Sequence, residues 1–179
     1  MNAELGDLTV VFTAEQIADR IRELARSISH DYRGKMVSAV CVLENGFIFM
    51  ADLVRALEVP VVCQFVKPET RAIAHGDEIF YSPEAKVEGQ HVLLVEGIIK
   101  SGVTQEFLIR NFAARGARSV KLATLLDKQA ERRVALQADY SGYTLGASYV
   151  VGYGLGSPLL GRNLPYVASS ANASAITAG

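Results

Sequence analysis

The chain has 179 residues, half of them hydrophobic, with 18 basic against 19 acidic side chains and a formal net charge of −1. That length can bury one sizeable core and predicts a single domain, while the near-zero charge excludes a global field that would draw nucleic acid or an acidic membrane. No window is long and apolar enough to cross a bilayer, and the start Met1-Asn2-Ala3-Glu4 carries no signal core, so a soluble, unprocessed, cytoplasmic protein is expected.

The first helix announces itself by a capping box, Thr13 with Gln16, followed by Ile17, Ile21, Leu24, Ala25 and Ile28 at helical spacing until Gly34. A strand over 37–43, a helix over 46–57 and a strand over 59–65 follow. Cys41 and Cys63 lie inside the two apolar strands and are read as buried thiols, which fits a reducing compartment. Residues 67–88 turn polar and are punctuated by Pro68, Gly76 and Pro83, which predicts a surface antiparallel hairpin.

Val92 to Val95 is an apolar run of the kind buried on both faces, so a strand is expected to end at Glu96. Beyond it, Lys100-Ser101-Gly102-Val103-Thr104 precedes the amphipathic stretch Gln105 to Ala114. A glycine turn faces its N–H groups inward and a helix start adds partial positive charge, so this turn is a candidate site for a phosphate monoester. A helix over 104–115 and a strand over 119–125 complete the repeat. Ala168 to Gly179 is small and polar, which predicts a mobile tail after a domain of residues 1–167.

Alternation of apolar strands with helices of this length predicts an α/β fold with a mainly parallel sheet flanked by helices, whose ligands gather at the carboxyl ends of the strands. Glu44, Glu96, Lys128 and Gly156 each follow a predicted strand and are expected to converge on one cleft. His30, His75 and His91 form no recognisable triad or metal set.

Several separated segments resemble the hypoxanthine-guanine members of the type I phosphoribosyltransferases. Val95-Glu96-Gly97-Ile98-Ile99-Lys100-Ser101-Gly102-Val103-Thr104 resembles their V-E-D-I-I-D-T-G-x-T motif. Leu8 to Ile17 resembles their first strand and helix, and Val42 to Leu53 their pyrophosphate loop. Leu125-Leu126-Asp127-Lys128 and Tyr149 to Leu155 resemble the segments that hold a purine. The resemblance implies the family's fold, with a small hood and a flexible hairpin, and Mg²⁺ as cofactor. It also implies a purine base or nucleotide and phosphoribosyl pyrophosphate as partners, and a homodimer or homotetramer.

Carried over residue by residue, the resemblance puts the phosphate on Lys100, Ser101, Gly102, Val103 and Thr104. It puts the purine on Lys128, Tyr149 and Val150, with Lys128 donating to the 6-oxo group, Tyr149 stacking and the Val150 backbone reading the base edge. Alone, Lys128 would be a solvated loop lysine and Tyr149 core packing. Glu44, Asn45, Arg132 and Arg162 fall on the pyrophosphate side.

The chain departs from the pattern where the chemistry sits. Of the paired acids only Glu96 remains, because Gly97 replaces the second; Lys100 stands where the family has its candidate proton acceptor; Gly156 replaces a metal-linked aspartate. Glu44 and Asn45 replace a lysine and a glycine, which repels a diphosphate and removes freedom for a cis peptide in that loop. Glu44 and Lys100 are candidates to neutralise each other across the metal site; independent drift is the equal alternative. No Ser-Tyr pair occurs in the hairpin, where Tyr81-Ser82 has the reverse order. The expected function is a purine phosphoribosyltransferase homologue that binds a 6-oxopurine nucleotide but is catalytically weak or inactive. The alternative is an active enzyme of purine salvage forming IMP or GMP; a different reaction on a phosphorylated ribose has no visible nucleophile or base.

Overall fold

The structure is a computed structural model and describes residues 8–73, 76–80, 85–156 and 161–170. In chain order the elements are β1 (Leu8–Phe12), α1 (Ala14–Asp31), β2 (Val37–Val42), α2 (Phe47–Ala56), β3 (Val61–Val66), β4 (Glu69–Ile73), β5 (Gly76–Phe80), β6 (His91–Ile99), α3 (Val103–Ala114), β7 (Ser119–Asp127), β8 (Tyr140–Thr144), β9 (Val150–Val151) and β10 (Val167–Ser170). A short 3₁₀ turn covers Gln129–Glu131.

The central sheet has the order β3-β2-β6-β7-β8, and its neighbouring strands are parallel throughout. Alternate residues of β6 serve opposite layers. Leu93 and Val95 pack with Ile17, Ile28, Phe49 and Leu53 of α1 and α2, while Val92 and Leu94 pack with Leu108 and Phe112 of α3. Burial on both faces is why β2 is apolar apart from the buried Ser38, and why Val92 to Val95 of β6 form an unbroken apolar run.

The capping box holds as read. Thr13 Oγ1 accepts from the Gln16 N–H at 3.2 Å, and the Thr13 N–H donates to Gln16 Oε1 at 2.9 Å. A small antiparallel sheet, β1-β10-β9, forms the hood, and β4 pairs with β5 as the expected antiparallel hairpin. Tyr81 and Ser82 lie outside the described residues.

Three expectations change. β6 does not end at Glu96: it runs to Ile99, because β7 runs to Asp127 and the parallel ladder continues through Glu96↔Thr124 and Ile98↔Leu126. Cys41 is buried but Cys63 is exposed, since β3 is an edge strand of the sheet. Ala168, read as tail, is buried in β10 between β1 and β9, while residues 171–179 lie outside the described part.

Among the described residues no helix is long and apolar enough to cross a membrane.

Candidate functional site

Three loops leave the carboxyl ends of adjacent strands of the sheet: Leu43 to Gly46 after β2, Lys100 to Gly102 after β6, and Lys128 after β7. The parallel order of these strands brings segments far apart in sequence to one edge.

The turn after β6 has the predicted form. Gly102 takes a left-handed conformation, φ 80°, at the amino end of the 12-residue α3. A side chain is excluded there twice over, by that backbone and by Arg132 Cδ, which would lie 2.9 Å from an added Cβ. The carbonyl groups of the turn are taken from outside: Arg132 Nη1 donates to Lys100 O at 2.7 Å, and the Arg133 N–H donates to Ser101 O at 2.9 Å. With its carbonyls held back, the turn and the start of α3 offer an anion their N–H groups. Lys100 is exposed, with its Nζ 6.0 Å from the centre of the Tyr149 ring. Thr104 is half-buried and Val103 exposed.

Lys128 is not a solvated loop residue. Its side chain is 4% exposed, and Nζ donates to Glu131 Oε1 at 2.7 Å and, at a long 3.5 Å, to Ala147 O. Ala147 belongs to the loop leading to Tyr149 and Val150, so the lysine ties the end of β7 to the stretch expected to hold the base. Val150 is buried and Tyr149 half-buried. Glu131 was not singled out by sequence, although its i,i+3 spacing from a lysine is a usable signal.

Arg132, expected on the pyrophosphate side, pairs with Asp127 and with the Lys100 carbonyl, so it braces the candidate phosphate turn. Arg162 does reach Glu44, whose two carboxylate oxygens are divided between Lys67 Nζ and Arg162 Nη1, each at 3.1 Å. The bond to Lys67, then its charge and that of Arg162, holds the Glu44 carboxyl below the usual range. The neutralisation of Glu44 by Lys100 is therefore replaced by these two cations. Lys67 lies 23 positions away and carries no local signal.

The Leu43–Glu44 peptide is cis, with asparagine at position 45 where glycine was expected to be needed. The Asn45 carbonyl presses on Gly97: an added Cβ at Gly97 would overlap that oxygen and sit 3.0 Å from Leu155 Cδ2. The same carbonyl would lie 3.3 Å from a Cβ at Gly154. Two residues without side chains, Gly97 in β6 and Gly154 in a turn, thus make room for one backbone oxygen.

Glu96 is 4% exposed. Its Oε2 accepts from Gln105 Nε2 at 2.8 Å and its Oε1 from the Gly97 N–H at 3.1 Å. Burial raises its pKa to about 8, against the opposing pull of those two donors. An acid raised in the folded state stabilises the fold most below its unfolded value, near 4.5, and loses that contribution as pH rises through about 8. Glu96→Gln is therefore expected to remove this decline, and to melt several degrees above the native chain at pH 9. The Gln105 amide can turn over to accept from the new NH₂. Thermal unfolding across that pH window measures it.

These acids do not fit a magnesium ion, which prefers carboxylate and water oxygens in open octahedral geometry. Glu96 is buried with both oxygens occupied, and Gly97 offers no donor. Gly156 has φ 112° with Val151 Cγ1 2.9 Å from where its Cβ would be, so this position takes no acid without rearrangement. Among the described residues no group of three His, Cys, Asp or Glu could hold a metal. A cavity of about 550 Å³ between α1, α2 and residues 163–165 contains none of the predicted site residues.

A phosphoribosyl transferase domain model matches residues 9–157. The hypoxanthine-guanine phosphoribosyltransferase of Bacillus subtilis (strain 168) is 33% identical over 162 residues, covering 88% of this chain and 90% of that protein. The bifunctional protein TilS/HprT of Listeria innocua is 38% identical over 162 residues, 88% of this chain, yet the chain spans only 25% of its length. Among solved structures, a hypoxanthine-guanine phosphoribosyltransferase from Bacillus anthracis superposes with TM-score 0.83 at 31% identity, covering 91% of this chain and 99% of that one. A hypoxanthine phosphoribosyltransferase from Staphylococcus aureus gives 0.86 at 30% identity, covering 95% and 97%.

Proposed function

The chain belongs to the hypoxanthine-guanine phosphoribosyltransferase family, and on that premise we propose that it binds a 6-oxopurine nucleotide while transferring phosphoribosyl groups weakly or not at all. The observation that carries this reading is the Asn45 carbonyl seated against Gly97: the family's second acid is absent and the space for it is filled.

The base is held by Lys128, Tyr149 and Val150. The ammonium of Lys128, fixed by Glu131, donates to the exocyclic oxygen of hypoxanthine or guanine and has nothing to offer the amino group of adenine. The 5′-phosphate lies on the Lys100 to Thr104 turn, where Lys100 adds a positive charge beside it. Transfer from phosphoribosyl pyrophosphate would require magnesium on the leaving group and a proton acceptor for the purine. Glu96, favoured in its protonated form at neutral pH, and Lys100 suit neither task. The protein acts in the cytoplasm as a homodimer or homotetramer, as its relatives' family implies.

Calorimetric titration with guanosine monophosphate and with magnesium phosphoribosyl pyrophosphate, followed by an assay of nucleotide formation from hypoxanthine, tests the reading. Nucleotide binding without turnover supports it. Efficient, metal-dependent formation of IMP or GMP replaces it with an active salvage enzyme. Lys128→Met removes one charged donor at similar side-chain shape and is expected to weaken guanosine monophosphate binding by about tenfold or more. Adenosine monophosphate binding should not change.

A further inference from the structure

Glu44 stands at the carboxyl end of β2, in a loop where an anion from solution would be expected to dock, and it is itself an anion. Each of its oxygens takes one cation from a different segment, Lys67 just after β3 and Arg162 from the loop before β10. Glu44 is about half exposed and Lys67 is 58% exposed, so the contacts with Lys67 contribute little to stability. Their consequence is positional. A bidentate carboxylate with a cation at each oxygen has the same pattern as a bridging phosphoryl group.

We propose that Glu44 is the specificity-determining residue of a phosphoryl-anion site formed by Lys67 and Arg162, occupying that site internally so that a diphosphate is turned away. The assignment rests on the nucleotide-binding reading above for its place in the cleft, and it explains how one chain can keep a monophosphate turn and refuse a diphosphate. Lys67 and Arg162 meet at the Glu44 loop after β2, whereas the Lys100 to Thr104 turn follows β6, so closing the first leaves the second open. Being covalently tethered, Glu44 competes at a high effective concentration with any dissolved anion. Its neighbour Asn45, seated against Gly97 and Gly154, holds the loop in the position that makes this possible.

The test is a gain of binding. Glu44→Gln is titrated with inorganic pyrophosphate and with inorganic phosphate, both without magnesium. It is expected to bind pyrophosphate at least about tenfold more tightly than the native chain, and phosphate less tightly than pyrophosphate. Adding Lys67→Gln should abolish the gain, and Glu58→Gln, which removes an exposed acid elsewhere, should produce none. No gain in Glu44→Gln, or a gain that survives removal of Lys67, overturns the proposal. So does a fall in melting temperature without any gain, which would make Glu44 a structural clasp. Guanosine monophosphate titrated into the same variant reports separately: its failure to bind rejects the nucleotide reading, while the pyrophosphate result alone decides the role of Glu44.

Discussion

Gly97→Asp, which restores the family's second acid, is expected to destabilise the fold and leave transferase activity unrestored. The new Cβ would overlap the Asn45 carbonyl, a backbone atom that cannot swing aside as a side chain could, and the carboxylate beyond it would meet Leu155. Overpacking of this kind costs about 1–3 kcal/mol, and an unpaired buried carboxylate adds to it. At roughly 2–4 °C per kcal/mol for a chain of this size, the melting midpoint falls by about 4–10 °C. Thermal unfolding and the hypoxanthine assay on one preparation measure both effects. A variant that melts like the native chain and makes nucleotide would mean that Asn45 moves freely and that the acid was merely missing.

The largest loss of stability is expected from Phe112→Ala. Phe112 is fully buried in the layer between α3 and the sheet, with Leu94, Leu108 and Leu122. Truncating such a ring leaves a cavity and costs about 3–5 kcal/mol. Because α3 carries the candidate phosphate turn at its amino end, the damage should extend to ligand binding. Chemical denaturation gives the first quantity and the affinity for guanosine monophosphate the second. Unchanged affinity in a folded but weakened variant would show that the turn is held by its bonds to Arg132 and Arg133 alone.

These two residues show different kinds of legibility. Phe112 sits in an amphipathic stretch whose period announces burial. Gly97 stands out in sequence only as a departure from a family motif, and nothing local says that a carbonyl from residue 45 fills the space. The same division holds elsewhere. The capping box of Thr13 and Gln16 joins residues three apart and could be read directly. The exposure of Cys63 could not, because an apolar run does not say whether its strand lies at the middle or the edge of a sheet.

The candidate site was legible as a set of segments and largely illegible as a set of contacts. The glycine turn at Gly102 lay where strand order put it, and Lys128 reaches the loop before Tyr149 through the Ala147 carbonyl. Their partners lay elsewhere: Glu131 for Lys128, Gln105 for Glu96, Lys67 for Glu44, and Asp127 for Arg132. A charge in a sequence states what a residue can pair with, and distance in space selects among many candidates.

Sequence by itself determined the α/β alternation, the family and the loss of acids, because periodicity, turn residues and motif order are local properties carried by neighbouring side chains. Tertiary structure alone decided that Glu96 is buried beside Gln105, that Asn45 fills the space at Gly97, and that Glu44 faces Lys67 and Arg162. Each of these depends on how different elements of the fold meet in space, where burial and charge are set by neighbours that the chain order does not specify.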